Sequence, residues 1–415
     1  MIGSHKLRAS LSEEMHVRRL PRFAAPCRLM QIVTLLGESS DVARDHIEAL
    51  AATARQIVPI AGKYAVLDLG GTILVWERHT EFASYTLLRE GAFDAPFDPA
   101  HFEPHLAVIA ADMQGEIVRA TQIAVVGADT AEPTPAQREA WFSAEATVIC
   151  DVADGAARVV SDFRLHDDGY GRLLVLDGHL AGDEPAQLVL RVQELGNYRN
   201  MALLGLPLAQ QRTPTVTNLE TRLAELTRAV SERTSEDDEL LDELTYLSAE
   251  LARLVAETRY RMTATRAYAQ LSMDRLASLQ IGAVRGYQTL SDFTERRLMP
   301  AVRTCDSFSA RLEDLSQRAA WTSELLRTRI DIALAKQNRD LLTSMDKRTR
   351  LQLRLQQTVE GLSIVAISYY LVALLGHVID AVPGVDHSLG MAVAVPVVLF
   401  VVALGLFRLR RLPHD

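Results

Sequence analysis

The sequence predicts an α+β membrane protein: an N-terminal cytoplasmic α/β domain with antiparallel strands, then long coiled-coil-like helices and a C-terminal hairpin of two transmembrane helices. Three patterns predict this class. Two apolar runs, at about 362–379 and 389–407, lie near the end of the chain, and about 20 apolar residues suffice to cross a bilayer as a helix. Leucines recur at steps of three and four between 219 and 254. Earlier in the chain, β-rich runs are joined by glycine turns.

These patterns divide the chain into five parts. The predicted parts are an N-terminal arm at 1–27, a cytoplasmic α/β domain at 28–214, a helical stalk region at 215–357, two transmembrane helices within 358–408 joined by a short outer loop at 380–388, and a basic cytoplasmic tail at 409–415.

Basic residues flank the two apolar runs and are absent from the loop between them. Those before the first run are Lys347, Arg348, Arg350 and Arg354, and those after the second are Arg408, Arg410 and Arg411. Because positive charge stays on the cytoplasmic side of a membrane, both ends of the hairpin are expected to be cytoplasmic. The lipid bilayer is therefore the first partner that the sequence predicts.

Composition excludes several other classes. A formal net charge of -9 argues against nucleic-acid binding, which requires a basic face. The three cysteines are scattered through the chain, so neither a disulfide framework nor a zinc knuckle is expected. The first residues lack the apolar core of a secretory signal, so the N-terminus is not expected to be exported.

The α/β domain is predicted from its turns and caps. Gly70-Gly71 supplies the positive φ of a primed hairpin turn, and Asp154-Gly155 marks a second hairpin. Predicted strands cover 28–36, 64–69, 72–76, 147–152, 157–163 and 171–176. Predicted helices follow the cap residues 39–41 and cover 135–142 and 183–204, the last of them capped by Asp183 and stopped near Gly205.

After 214 the chain reads as helices packed along a narrow apolar seam. A polar stretch at 231–238 predicts one break, and Pro300 predicts a second, since proline fits the first turn of a helix. From Pro300 one helix of about 80 residues, roughly 120 Å long at about 1.5 Å per residue, would continue into the first membrane span.

A stripe of polar and small residues follows one face of that helix. Its nine members, at steps of four and three, are Gln352, Gln356, Val359, Ser363, Ala366, Tyr370, Ala373, His377 and Asp380. Two interpretations stay open: the stripe lines a path shared by several subunits, or it lets the two helices of the hairpin approach closely. In the outer loop, Asp380, Asp386 and His387 attract cations of unknown identity or are simply solvated.

The sequence predicts no enzyme and no cofactor. No nucleotide-binding loop, nucleophile elbow or zinc-protease motif is found. If the strand after Trp76 continued, Glu77, His79 and Glu81 would share one face and could bind a metal. The favoured interpretation is a solvated strand face, because no further ligand cluster completes such a site.

Three strings resemble the DUF3422 family of bacterial membrane-anchored proteins. They are TEFASYT at 80–86, NYRNMALLGLP at 197–207 and the long segment 337–376. The resemblance covers nearly the whole chain and implies a location in the bacterial inner membrane, but no activity. One departure is at 16–19, where His-Val-Arg-Arg stands in place of the family's His-Ala-Arg-Pro.

The order of parts is also similar to the CorA-type magnesium transporters, which are pentamers whose first span lines the pore. That resemblance implies a homo-oligomer, a pentamer if it holds. The Gly-Met-Asn signature of that family is missing, because Gly376 is followed by His377-Val-Ile-Asp380. The sequence thus predicts a homo-oligomeric ion channel or transporter, with a membrane-anchored scaffold or sensor as the alternative.

Overall fold

The computed structural model describes residues 4–8, 11, 19–37, 42–111, 113, 115–130, 132–232, 236–381 and 386–409. The chain divides into two compact units, 1–321 and 322–415. Several sequence predictions concern residues outside the described ranges: most of the N-terminal arm, the caps at 39–41, Arg410 and Arg411.

The first unit contains a ten-stranded sheet. Its strands are β1 Cys27–Leu35, β2 Arg55–Ala61, β3 Tyr64–Asp68, β4 Ile73–Arg78, β5 Phe82–Glu90, β6 Glu116–Val126, β7 Val148–Val152, β8 Ala157–Ser161, β9 Gly171–Asp177 and β10 Gly282–Ala283. They are ordered β10-β7-β8-β9-β6-β1-β5-β4-β3-β2. Every neighbouring pair is antiparallel except β6 and β9. The predicted mixed α/β fold is confirmed.

The helices of the described chain are, in order, α1 Val42–Ala51, α2 Glu103–Ala111, α3 Pro135–Trp141, α4 Glu184–Leu203, α5 Gly205–Glu232, α6 Asp237–Ser278, α7 Leu290–Asp380 and α8 His387–Leu409. Helix α5 runs across the predicted domain boundary at 214. A break between α5 and α6 is confirmed, and the leucines predicted to form the seam are buried in both helices.

Helices cover both faces of the sheet because the side chains of each strand alternate. Leu29 of β1 packs in a cluster with Val192 of α4, whereas its neighbour Met30 packs with Ile47 of α1 on the other face. Each face thus has its own buried core, as expected for a sheet between two helical layers.

Both predicted hairpins are confirmed. Gly70 and Gly71 have φ values of +86° and +93°, and the turn between β7 and β8 places Gly155 at +89°. Strands β2, β5 and β6 and the two-residue strand β10 were not predicted from the sequence. The turn before β5 contains neither glycine nor proline, and the first half of β6 carries Glu116 and Arg119, so neither strand shows the usual signals.

Two local predictions are wrong. Asp183 occupies the cap position of α4, but its side chain makes no cap bond and instead pairs with Arg22. Pro300 lies inside α7 and does not begin it. The break between α6 and α7 falls earlier in the chain, and α7 begins at Leu290. The backbone N–H of Asp292 donates to the Thr289 hydroxyl at 3.1 Å, and the Thr289 backbone N–H donates to the Asp292 carboxylate, so the two residues form a reciprocal cap.

The second unit contains the two predicted long apolar helices. The end of α7 and residues 388–405 of α8 have 18-residue windows with mean hydropathy of 2.1 and 2.4. By length and composition both could cross a membrane. Gly376 and Gly390 mark where they meet, because a Cβ at Gly376 would lie 3.5 Å from Met391 Sδ and one at Gly390 would lie 2.8 Å from Ile379 Cγ2.

Candidate functional site: an arginine-lined pocket

A pocket of about 270 Å³ lies between the sheet and α4 in the first unit. Strands β6 and β9, the only parallel pair in the described sheet, form its floor, and α4 forms a wall. Four arginines line it, Arg119, Arg164, Arg172 and Arg199, and its lining contains no aspartate, glutamate or lysine. We call this site the arginine pocket.

A bulge in β6 helps to place Arg119. Val33 of β1 pairs with Arg119 and Thr34 pairs with Ile117, so Val118 is an extra residue on β6. The Val118 carbonyl accepts a hydrogen bond from Asn200 Nδ2 of α4 at 3.3 Å. The bulge and its hydrogen bond therefore tie this part of β6 to α4.

Neutral groups hold the Arg119 guanidinium. Its Nη1 donates to Gln31 Oε1 at 2.7 Å and to Asn197 Oδ1 at 2.9 Å. The group lies directly against the α4 backbone, because a Cβ on Gly196 would be 2.8 Å from its Cζ. Only glycine at 196 leaves room for this contact. In the described structure, Arg119 has no ion-pair partner.

Arg199 is held by aromatic rings. Its Cζ lies 4.6 Å from the centre of the Phe163 ring and 5.5 Å from that of Phe293, within the range of a cation–π interaction. Its Nη1 is buried and has no hydrogen-bond partner among the described residues. A guanidinium that keeps a buried N–H unsatisfied is unusual, since such groups are normally paired.

Phe163 adopts a backbone conformation that bulky residues avoid, with φ of +51°. The fully buried Asp162 stabilises this segment by accepting hydrogen bonds from the backbone N–H of Ser143 at 2.9 Å and of Arg164 at 3.2 Å. His166 Nε2 lies 3.2 Å from the same carboxylate. The energetic cost of the Phe163 conformation is thus offset by hydrogen bonds, as is common at functional sites.

The arginine pocket carries uncompensated positive charge. Burial lowers the pKa of the Arg119 guanidinium from its usual value, and the nearby charge of Arg199 lowers it further. Burial likewise lowers the pKa of Arg199. Arg172 differs, because its Nη2 is 3.0 Å from the Asp168 carboxylate. The charged forms of Arg119 and Arg199 are therefore destabilised in the structure, a cost that a bound anion would relieve.

The predicted stripe of α7 lies outside this pocket, in or just before the first apolar helix. All nine of its residues, 352 to 380, are exposed. Helix α8 packs against the opposite face of α7, where Ser368 and Gly376 are buried and Ile379 contacts Gly390. The structure therefore does not place the stripe between the two apolar helices.

The remaining charged positions are dispersed. Lys347, Arg348, Arg350 and Arg354 are exposed on α7, and Arg350 Nε is 3.0 Å from Asp346. Asp380 and Asp386 are exposed at the two ends of the connection. His387 and Arg408 belong to α8, but their side chains are outside the described part of the structure.

Glu77 and Glu81 are buried, so the favoured interpretation of a solvated strand face is wrong. Strand β4 ends at Arg78, which removes the common face on which the three side chains were expected. Glu77 lies 3.7 Å from His79 Nε2, whereas Glu81 pairs with Arg261 of α6. Over the described residues, no group of three or more acidic, histidine or cysteine side chains is placed to hold a metal.

The arginine pocket was not predicted from the sequence. One usable signal was Arg119, a basic residue in the interior of β6, a strand that is mostly apolar after its first residue. Another was Arg199, which lies in the string 197–207 that the resemblance singled out. Neither pattern shows that the two side chains meet.

A family model described as "Protein of unknown function (DUF3422)" matches residues 3–412. The match spans nearly the whole chain, so the chain belongs to this family. A search of curated proteins with the chain's sequence found no match.

Proposed function

We propose that this DUF3422 protein is a membrane-anchored sensor whose α/β unit binds a small dianion in the arginine pocket. The two apolar helices would anchor it in the bacterial inner membrane, with both ends in the cytoplasm. One observation carries the proposal: two neighbouring guanidinium groups, those of Arg119 and Arg199, share a pocket without any carboxylate in its lining.

Charge and size define the ligand class. Arg164 is exposed to solvent, so Arg119 and Arg199 are the two buried guanidinium cations without a carboxylate partner, and two negative charges match them. Guanidinium groups bind phosphate and carboxylate oxygens through paired N–H donors. The free Nη1 of Arg199 supplies one such donor. A pocket of about 270 Å³ suits a small ligand. The ligand is therefore a phosphate, a phosphomonoester or a short dicarboxylate, bound and not chemically changed.

Calorimetric titration of the full-length protein in mild detergent tests the proposal. Inorganic phosphate and, separately, succinate are added at constant ionic strength set with chloride. We expect one saturable site per chain for at least one of the two anions. Arg199→Met should weaken that affinity at least about tenfold, since a hydrogen bond to a charged group contributes about 1.5–3 kcal/mol.

The matched control is Arg228→Met, which removes an exposed arginine of α5 outside the pocket. It should bind like the wild type. The proposal is overturned if neither anion gives saturable binding, or if the Arg199 and Arg228 variants bind equally well.

A second function rests on the α7 stripe. Its nine residues are exposed, while the opposite face of α7 contacts α8. Polar residues on an unpaired face of a membrane helix favour contact with other subunits around a path for ions. On this proposal the protein is a homo-oligomer of CorA-like arrangement, with five subunits if that resemblance holds.

Flux through proteoliposomes tests this second function. We expect an oligomer in detergent and cation flux that falls at least about tenfold in the double variant Tyr370→Ala with His377→Ala, because both side chains would face the path. Val365→Ala, exposed on a different side of α7 from Tyr370 and His377, is the control. Unchanged flux in a double variant that still assembles would rule out the path.

A further inference from the structure

The arginine pocket is connected to the beginning of α7 by stacked rings. Phe163 and Phe293 lie 4.5 Å apart with an angle of 25° between their planes, and Arg199 contacts both. Phe293 is in the first turn of α7, and Leu290, the first residue of this helix, is buried and lines the pocket. The group expected to bind the anion and the first turn of α7 are thus in direct contact.

Two further contacts fix the same turn. The first is the reciprocal cap, in which the Thr289 hydroxyl donates to Asp292 Oδ2 at 2.8 Å and the Thr289 backbone N–H donates to the same oxygen at 3.3 Å. The backbone N–H of Asp292 donates in return to the Thr289 hydroxyl oxygen. The Arg297 guanidinium lies 5.8 Å from the Phe293 ring. The first turns of α7 therefore depend on side chains that surround Phe293.

Helix α7 continues without interruption from Leu290 to Asp380, and it includes the first of the two long apolar runs. Its first turn, with Leu290 and Phe293, belongs to the first unit. A ligand can alter such an element only by binding one of its conformations more tightly than another.

We infer that anion binding in the arginine pocket clamps the first turns of α7 through the Arg199–Phe163–Phe293 stack. This inference rests on the proposed ligand-binding function and adds its regulatory output. The anion holds the Arg199 guanidinium against the rings, because its N–H groups gain a fixed acceptor. Without the anion, Arg199 loses that acceptor, and the stack that holds Phe293 loosens. The clamped and relaxed arrangements are the two states that the ligand selects between.

Hydrogen exchange of the full-length protein in detergent, with and without saturating inorganic phosphate or succinate, tests the inference. Amide exchange over residues 290–297 should slow about tenfold when the anion is bound. In Phe293→Leu the slowing should disappear, while binding weakens only about fivefold, because the ring orients Arg199 and does not itself bind the anion. Tyr287→Leu, an exposed aromatic residue just before α7, is the control and should retain the slowing.

The outcomes separate the two proposals. If the anion binds but exchange over 290–297 is unchanged, the clamp is overturned and the binding function stands. The same holds if Phe293→Leu keeps the full response. If neither anion binds, the proposed function fails and the clamp fails with it. If Phe293→Leu does not fold, the comparison of wild-type exchange over residues 290–297 with and without the anion tests the clamp by itself.

Discussion

Replacing Gly115 by alanine is expected to destabilise the first unit by about 3–5 kcal/mol. Gly115 has φ of +90°, and a Cβ there would lie 2.2 Å from the backbone oxygen of Leu35. The left-handed conformation alone costs about 1–2 kcal/mol for a residue with a side chain. Crowding against the backbone adds about 1–3 kcal/mol, because Leu35 belongs to β1 in the centre of the sheet and cannot move freely.

Gly155→Ala is a matched control. Gly155 has φ of +89°, but a Cβ there would meet nothing within 4 Å. The Gly155→Ala substitution should lower the free energy of unfolding only by the cost of the left-handed backbone conformation, about 1–2 kcal/mol. Urea unfolding followed by tryptophan fluorescence reports on this unit, since Trp76 is fully buried in it. Equal losses in the two variants would show that the approach of Gly115 to Leu35 contributes nothing.

The Arg199→Met variant is expected to be more stable than the wild type without phosphate and less stable than the wild type with phosphate. In phosphate-free buffer the variant should be more stable than the wild type by about 1 kcal/mol, because a poorly solvated cation without an ion-pair partner is removed. Methionine keeps favourable contacts with the two phenylalanine rings and so retains part of the packing. At a phosphate concentration of about 100 times the wild-type Kd, the wild type should gain about 2.7 kcal/mol, and a variant that binds tenfold more weakly should gain only about 1.4 kcal/mol.

Urea unfolding at constant ionic strength measures both effects. Urea is uncharged, whereas a guanidinium salt would compete for the anion. Arg119→Met is the informative comparison, because it leaves Gln31 Oε1 and Asn197 Oδ1 without their donor and should lose about 1–3 kcal/mol in either buffer. If phosphate stabilises the Arg199 variant as much as the wild type, the anion does not bind at Arg199.

Local signals predicted a large part of the fold. Glycines at 70, 71 and 155 specified turns because only glycine readily takes positive φ, and the structure has them there. The leucine spacing predicted buried faces of α5 and α6, since side chains three and four positions apart share a helix face. Predictions failed where a tertiary contact replaced the local one, as when Asp183 paired with Arg22 and made no cap bond.

The sequence by itself determined the class of the protein: a mixed α/β part, long helices and two apolar helices near the end of the chain, each specified by spacing and composition. The arginine pocket, in contrast, is formed only by the tertiary structure. Arg119 and its partner Asn197 are 78 positions apart, and Phe293 comes from a third element. Each of these residues has an ordinary local environment in the sequence. Their joint property, positive charge without a carboxylate, exists only after β6, α4 and α7 have packed together.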